Sequence, residues 1–303
     1  MEEFRDHLRR ASAAQTADSY ARWATKAERW SDSTGARVTS NRLVYDFAAH
    51  LASSPDGDGK RHAPSTIRVG CAALRRYLDW LALRGYPVAQ QVRAEIQHAQ
   101  VEVQFTPDDA GVGLFLTAVD AELHEPYAVL AHVLAGTGMR VGEAVTILGT
   151  DVAPSRDDGL TRGWLIFTLR QTKNHQSRQV PLLPEYEVRL RRYVSRTRPD
   201  LLGDEPHDYL FPVRRKAKPV SRTEVARKLS QVGQRIGIPI TPHALRRFYV
   251  TSLMRRGVEA ATIMKVIGHT DADTFGRYYK PTAEDLVGKL SQSMERGPSA
   301  QRA

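Results

Sequence analysis

The chain has 303 residues, of which 44 are Lys or Arg and 34 are Asp or Glu, giving a formal net charge of +10. That length favours two domains over one, and the positive balance favours a polyanionic partner, because clustered cations displace counterions from phosphates. Cys71 is the only cysteine, which excludes an intrachain disulfide, a cysteine-built zinc cluster and a dithiol redox motif and suits a reducing cytoplasm.

A basic protein with no nucleic-acid role is the plain alternative at this level. No run of about 18 apolar residues occurs. The start, MEEFRDHLRR, carries charges of both signs with no apolar stretch behind it. The expectation is a soluble intracellular protein without signal peptide or membrane span.

In chain order, residues 1 to about 100 read as helical. Tyr20, Trp23 and Ala27 fall at helical spacing, as do Leu43, Phe47 and Leu51, and then Leu74, Tyr77, Leu78 and Leu81. This pattern predicts a small helix bundle, with turn-rich breaks at Ser-Asp-Ser-Thr-Gly (31–35) and at 53–60. Val101 to Pro107 reads as a linker ending in Thr106-Pro107-Asp108-Asp109, a helix start with proline at its first turn. The domain boundary is placed there, giving domains of residues 1–103 and 104–303.

Helical segments are expected to about Leu148. The period then changes: WLIFTL (164–169) and RQVPLL (178–183) alternate like strands around Gln171-Thr172-Lys173-Asn174-His175-Gln176, which predicts a hairpin with Lys173 in or beside its turn. From about Glu185 the pattern is helical again, broken at Arg198-Pro199 and by the basic loop FPVRRKAKPV (211–220). The last helix carries Leu286, Val287 and Leu290 and stops before Gly297-Pro298.

Residue types able to cleave a phosphodiester without metal occur in one order along the second domain. They stand in GTGMRVGEAVTI around Arg140, QTKNHQSRQVPL around Lys173, TPHALRRFYVTSLMRRGV around His243 and Arg246, and VIGHTDADTFGRYY with His269 and Tyr278. Each is weak singly. An Arg after a glycine-rich turn is usually a solvated charge, and H-x-x-R is common. A Gly-His at a helix end is unremarkable, and a turn Lys is by default merely exposed. The glycines at 136, 138 and 142 do not match a nucleotide-binding loop, and no G-K-[ST] follows.

Taken together and in this order, the segments resemble the boxes of the tyrosine recombinase family, the phage-type integrases, and the resemblance covers nearly the whole chain. It implies a two-domain, mainly α fold. An N-terminal helical, SAM-like core-binding bundle would be followed by a C-terminal mixed α+β catalytic domain with a small β-hairpin or sheet. It also implies a site-specific recombinase that cuts DNA through a covalent 3′-phosphotyrosine and a Holliday junction, with no metal, ATP or other cofactor.

Chemistry suits the residues to those roles. Guanidinium forks match the charge gathered on a five-coordinate phosphate, and Arg140 and Arg246 form that pair. Gly136 and Gly138 would let the backbone turn and deliver Arg140 at a helix start, where the dipole favours phosphate. His243 and Arg246, three apart behind Thr241-Pro242, share one helix face, so His243 would be a base or a phosphate ligand. A tyrosine with its pKa near 10 needs both a base and an electrophilic phosphate.

The resemblance makes Tyr278, nine residues after His269, the nucleophile, with Tyr279 as its competitor. It makes Lys173 the hairpin lysine that protonates the departing 5′-oxygen, His269 a phosphate ligand, and Glu143 the acidic support of Arg140 and His243. Two departures stand out: Arg247 replaces a frequent second histidine, and Val141-Gly142 replaces a residue-plus-Ser.

The implied partners are a double-stranded DNA recombination site and, on it, a homotetramer formed from a monomer or weak oligomer. An accessory DNA-bending or directionality protein would be compatible. The implied location is cytoplasmic and nucleoid-associated. Met1 to Ala14 is too short for an arm-binding domain, which favours a simpler recombinase. The alternatives are a type IB topoisomerase-like relaxing activity and a catalytically silent DNA-binding protein.

Overall fold

The computed structural model of the chain describes residues 1–11, 14–55, 59, 61–92, 105–154, 164–170, 177–204 and 206–268. The chain falls into two compact units, Met1–Gln104 and Phe105–Ala303. Among the described residues no helix is long and apolar enough to cross a membrane.

Among the described residues the first unit holds four helices: α1 (Glu2–Ala11), α2 (Ala14–Thr34), α3 (Leu43–Ser53) and α4 (Pro64–Leu83). The periodic residues do what their spacing predicts. Phe47, Leu51, Leu74 and Leu78 are buried in one core, joined by Phe4 from α1. Each such large side chain contributes about 1.5–3 kcal/mol by leaving water. Gly70 lets α4 approach α2, since a Cβ there would lie 3.0 Å from Cε3 of Trp23.

One expectation is corrected in this unit. Ser31 to Thr34 is not a loop but the last turn of α2, because the hydroxyls of Ser33 and Thr34 fold back onto the Trp30 carbonyl and so occupy themselves within the helix. The helix ends one residue later, at Gly35 with φ of 70°. The second break begins at Ser54, with Pro55 and Arg61 bridged antiparallel. Residues 56–58 and 60 lie outside the described set.

The second unit begins with α5 (Asp109–Glu122), α6 (Tyr127–Thr137) and the single turn α7 (Val141–Ala144). The N-cap of α5 is Asp108, whose carboxylate accepts from the Gly111 amide at 2.7 Å. Pro107 therefore precedes the cap rather than occupying the first turn as expected. The proposed linker, apart from Phe105 to Pro107, lies outside the described residues. α6 is buried on every side except at His132, as an apolar-all-round sequence requires of a central helix.

Next come β1 (Val152–Pro154), β2 (Leu165–Leu169) and β3 (Arg178–Pro181), an antiparallel sheet in the order β1-β2-β3. The expected hairpin is β2 with β3, in register Phe167↔Val180 and Leu169↔Arg178. Its connecting residues 171–176, and with them Lys173, lie outside the described set. β1 was not foreseen.

After the sheet, α8 (Glu187–Arg192) runs through a π-turn, Tyr193–Thr197, into α9 (Arg198–Leu201). Arg198-Pro199 is thus not the expected break. The wider π-turn closes with the Arg198 amide on the Tyr193 carbonyl. It places Pro199 in a first turn, where its missing N–H and its ring are tolerated. The stretch 211–220 is the expected loop, pinned by a bridge between Pro212 and Pro219. Three helices finish the described chain: α10 (Arg222–Arg235), α11 (Pro242–Arg255) and α12 (Ala260–Ile267).

Of the two glycines expected to turn the Arg140 segment, only one does. Gly136 is not part of a turn. It is helical and buried, and a Cβ there would meet Tyr186 at 2.6 Å. Gly138 alone makes the turn, as the left-handed cap of α6 with φ of 60°, and its missing side chain leaves room for Tyr249, whose ring a Cβ there would meet at 2.5 Å.

Gly138→Ala is accordingly expected to lose roughly 2–4 kcal/mol in urea unfolding, from left-handed backbone strain plus overpacking. Gly237→Ala has a similar φ of 73° but nothing within 4 Å, and should lose only about 1 kcal/mol. Equal losses would show that contact with Tyr249 is immaterial.

Candidate active site

The C-terminal end of α6, the start of α7, the first turns of α11, the last turn of α12 and the start of β3 meet in one region of the second unit. Thr241 starts α11 by accepting from the Ala244 amide at 3.2 Å, with Pro242 in the first turn. His243 is thereby held at the surface and Arg246, one turn on, points inward. Ala244 through Val250 are all buried.

Arg246 is only 1% exposed. Its Nη1 donates to the Gly138 carbonyl and its Nη2 to the Ile267 carbonyl, each at 2.7 Å. One guanidinium therefore joins the turn before Arg140 to the end of α12. Both acceptors are helix-terminal carbonyls that lack an intrahelical partner.

Arg140 is the N-cap of α7 and is partly exposed. Glu143 reaches back to it twice. One carboxylate oxygen accepts from the Arg140 amide at 2.9 Å, and the other from its Nη1 at 3.0 Å. The expected helix-dipole assistance at Arg140 is slight, because α7 has only one turn. Glu143 is what orients the side chain.

Sequence reasoning overlooked Arg178. Its Nη2 donates to Glu143 at 2.7 Å and its Nε to the Val266 carbonyl at 2.9 Å. A signal was present: Val180 is buried, and Arg178, two residues away in the same strand, shares its face. A charge on an inward face needs a partner.

Arg247, expected only to add positive charge, is 8% exposed. Its Nε and Nη2 grip the Phe105 carbonyl at 3.0 and 2.7 Å.

Electrostatics divide the site. Burial alone would raise the Glu143 carboxyl. The hydrogen bond and charge of Arg178, then the Arg140 amide and guanidinium, overcome burial and hold it below its ordinary range. His243 is held below 6.5 by desolvation first and then by the charges of Arg246, Arg247 and Arg140. At pH 7 it is a neutral imidazole beside three guanidiniums, a state that can accept a proton.

The sign of the linkage follows. The unfolded chain binds more protons between the folded pKa and 6.5, so His243 subtracts stability as pH falls below about 6.5. In an NMR titration its ring is expected to titrate below 6.5, and Arg247→Gln to raise the midpoint. A wild-type midpoint at or above 6.5 would remove the electrostatic case for a neutral base.

Tyr249 is the tyrosine packed into this region. Burial pushes its phenol far above the usual range, and its hydroxyl donates to the Pro181 carbonyl at 3.4 Å. That makes it a structural group. Lys173, His269, Tyr278 and Tyr279 lie outside the described residues. The structure therefore brings together Arg140, Glu143, His243 and Arg246 from the expected set. Among the described residues, no three His, Cys, Asp or Glu side chains gather as a metal site.

The sequence profile of the phage integrase family matches residues 112–285. The tyrosine recombinase XerA of Saccharolobus solfataricus is 27% identical over 240 residues, covering 79% of this chain and 72% of the relative. The tyrosine recombinase XerD of Corynebacterium glutamicum is 26% identical over 293 residues, covering 92% and 91%.

Among solved structures, a Tn1549 transposon integrase in complex with transposon right end DNA superposes with a TM-score of 0.67. It is 14% identical and covers 95% of this chain and 96% of the other. A lambda integrase dimer bound to a core site gives 0.65 at 14% identity, covering 93% and 94%. At these identities the structural likeness is one of fold, and it includes the mainly helical architecture with its small antiparallel sheet.

Proposed function

The chain belongs to the phage integrase family of tyrosine recombinases, enzymes that break and rejoin DNA at specific sites, and on that premise we propose that Tyr278 is its nucleophile and Arg140, His243 and Arg246 its phosphate-activating group. The observation that carries this reading is the convergence of Arg140, Glu143, Arg246 and a neutral His243 from distant segments at one place. Arg140 and Arg246 offer positive charge where a five-coordinate phosphate develops negative charge.

The Tyr278 oxygen attacks phosphorus while its proton passes to His243. The bond from phosphorus to the 5′-oxygen breaks, and Lys173 protonates that oxygen to leave a 5′-hydroxyl. His269 is assigned to a non-bridging phosphate oxygen. The phosphotyrosine conserves the bond, so a 5′-hydroxyl from a partner duplex reseals the strand by the reverse displacement. Neither ATP nor metal has a step here.

Residues 1–103 are assigned to core-site binding and 104–303 to catalysis. Exchange of two strand pairs through a four-way junction calls for four protomers on DNA. The segment with Leu286, Val287 and Leu290 is assigned to contact with a neighbouring protomer. An accessory bending or directionality protein and a nucleoid location are compatible extensions. The named relatives are recombinases and integrases, which favours neither the topoisomerase-like nor the silent DNA-binding alternative.

The test is covalent trapping. The full chain is mixed with nicked duplexes enriched by the protein's own binding, in EDTA, and a detergent-resistant protein–DNA adduct is sought. An adduct through a 3′-phosphate is expected. Tight binding to a range of nicked positions without any adduct would overturn the reading.

A further inference from the structure

We infer that Arg178 is a positioning residue of the reaction: it does not touch the phosphate but sets Arg140 through Glu143 while fixing the end of the helix that leads to His269. The inference rests on the proposed phosphoryl-transfer site and adds a residue to it.

Three observations carry it. The Arg178 side chain is 10% exposed, so it is not available as a solvated surface charge. It donates from one edge of the guanidinium to two different elements. Nη2 takes Glu143 at 2.7 Å and Nε takes the Val266 carbonyl in the last turn of α12 at 2.9 Å. Finally, Gly268, the left-handed cap of α12 with φ of 68°, lies against this guanidinium, and a Cβ there would come within 2.8 Å of Nη1. The guanidinium thus lies directly under the turn from which the chain continues to His269.

The consequence for Arg140 is electrostatic and geometric. Glu143 is 8% exposed and takes both the amide and the Nη1 of Arg140. A carboxylate that buried stays charged only with compensation. Arg178 supplies a second cation, leaving Glu143 ionised and aimed. Without it, the carboxylate is under-compensated and its hold on Arg140 loosens.

Arg178 and Arg246 also divide the end of α12 between them, one on the Val266 carbonyl and one on the Ile267 carbonyl. Lysine cannot imitate this, because a single ammonium lacks a planar fork to reach a carboxylate and a carbonyl together. The residue also sits at the foot of the hairpin whose connection holds Lys173. One side chain therefore ties together three segments that the reaction needs.

The experiment compares wild type, Arg178→Lys and Arg178→Met, as full chains, on the same nicked duplex. DNA affinity and the single-turnover rate of adduct formation are measured separately. The expected result is affinity within about threefold of wild type and adduct formation slowed about 10- to 100-fold in Arg178→Met, the scale of loss when a catalytic group is misplaced by a fraction of an ångström to an ångström. Arg178→Lys should recover part of that rate.

A role in stability alone would reduce affinity and rate together, in proportion to folded protein measured by thermal melting, and that outcome overturns the inference. So does a wild-type rate in Arg178→Met. If Arg178→Met does not fold, the inference stands or falls on Arg178→Lys, which must show slowed cleavage with affinity retained. Wild-type protein that binds but yields no adduct removes the proposed site itself. An adduct in wild type formed equally fast by the variants removes only the role of Arg178.

Discussion

Tyr278→Phe is expected to bind the nicked duplex as wild type does and to form no covalent adduct, a loss of at least about 10,000-fold in single-turnover cleavage. The size follows from the chemistry. Phenylalanine keeps the ring but has no oxygen to bond to phosphorus. No second nucleophile is poised in the described part of the site, since Tyr249 is buried with its hydroxyl on the Pro181 carbonyl. Tyr279→Phe should keep the adduct. Loss of the adduct in Tyr279→Phe alone would move the nucleophile by one residue, and with it the spacing from His269 on which Tyr278 was chosen.

The second large effect is expected at Arg246, where stability and chemistry are lost together. Arg246→Ala leaves the Gly138 and Ile267 carbonyls without their charged donor inside a region that is 1% exposed at this residue. Each unsatisfied carbonyl costs about 1–3 kcal/mol, so urea unfolding should show a loss of roughly 2–6 kcal/mol. Cleavage measured under conditions where the variant is folded should still fall on the order of 1,000-fold, as for the removal of a preorganised donor to a developing oxyanion. Full stability with lost cleavage would make Arg246 purely a phosphate ligand. Full cleavage in folded protein would leave it purely structural.

Arg246 also shows how far the sequence could be read. Its type, its spacing from His243 and its place in PHALRRFYV were legible, because a helical period and a Thr-Pro start are local facts. That its guanidinium is buried and grips two helix ends was not, because Gly138 and Ile267 are distant in sequence. Arg178 is the sharper case. In SRQVPLL the strand period puts it on the face of Val180, which hints at a partner, but only the fold brings Glu143 and Val266 to it.

Local rules failed where a neighbour overruled them. Pro199 did not break the helix, because a π-turn precedes it. Gly136 did not turn the chain, because it is packed under Tyr186. β1 is three residues long and turns only Val152 towards the core, which leaves too little alternation for a period to register. By contrast, the hairpin strands announced themselves by a period of two.

The two arginines clasping the last carbonyls of α12 also govern how that helix opens. The Val266 and Ile267 carbonyls belong to the last turn of that helix, where helices ordinarily fray. With donors from β3 and α11 on adjacent carbonyls, unwinding that turn must also break contacts to two other elements. Its amides are therefore expected to exchange hydrogen with the core of the second unit rather than ahead of it.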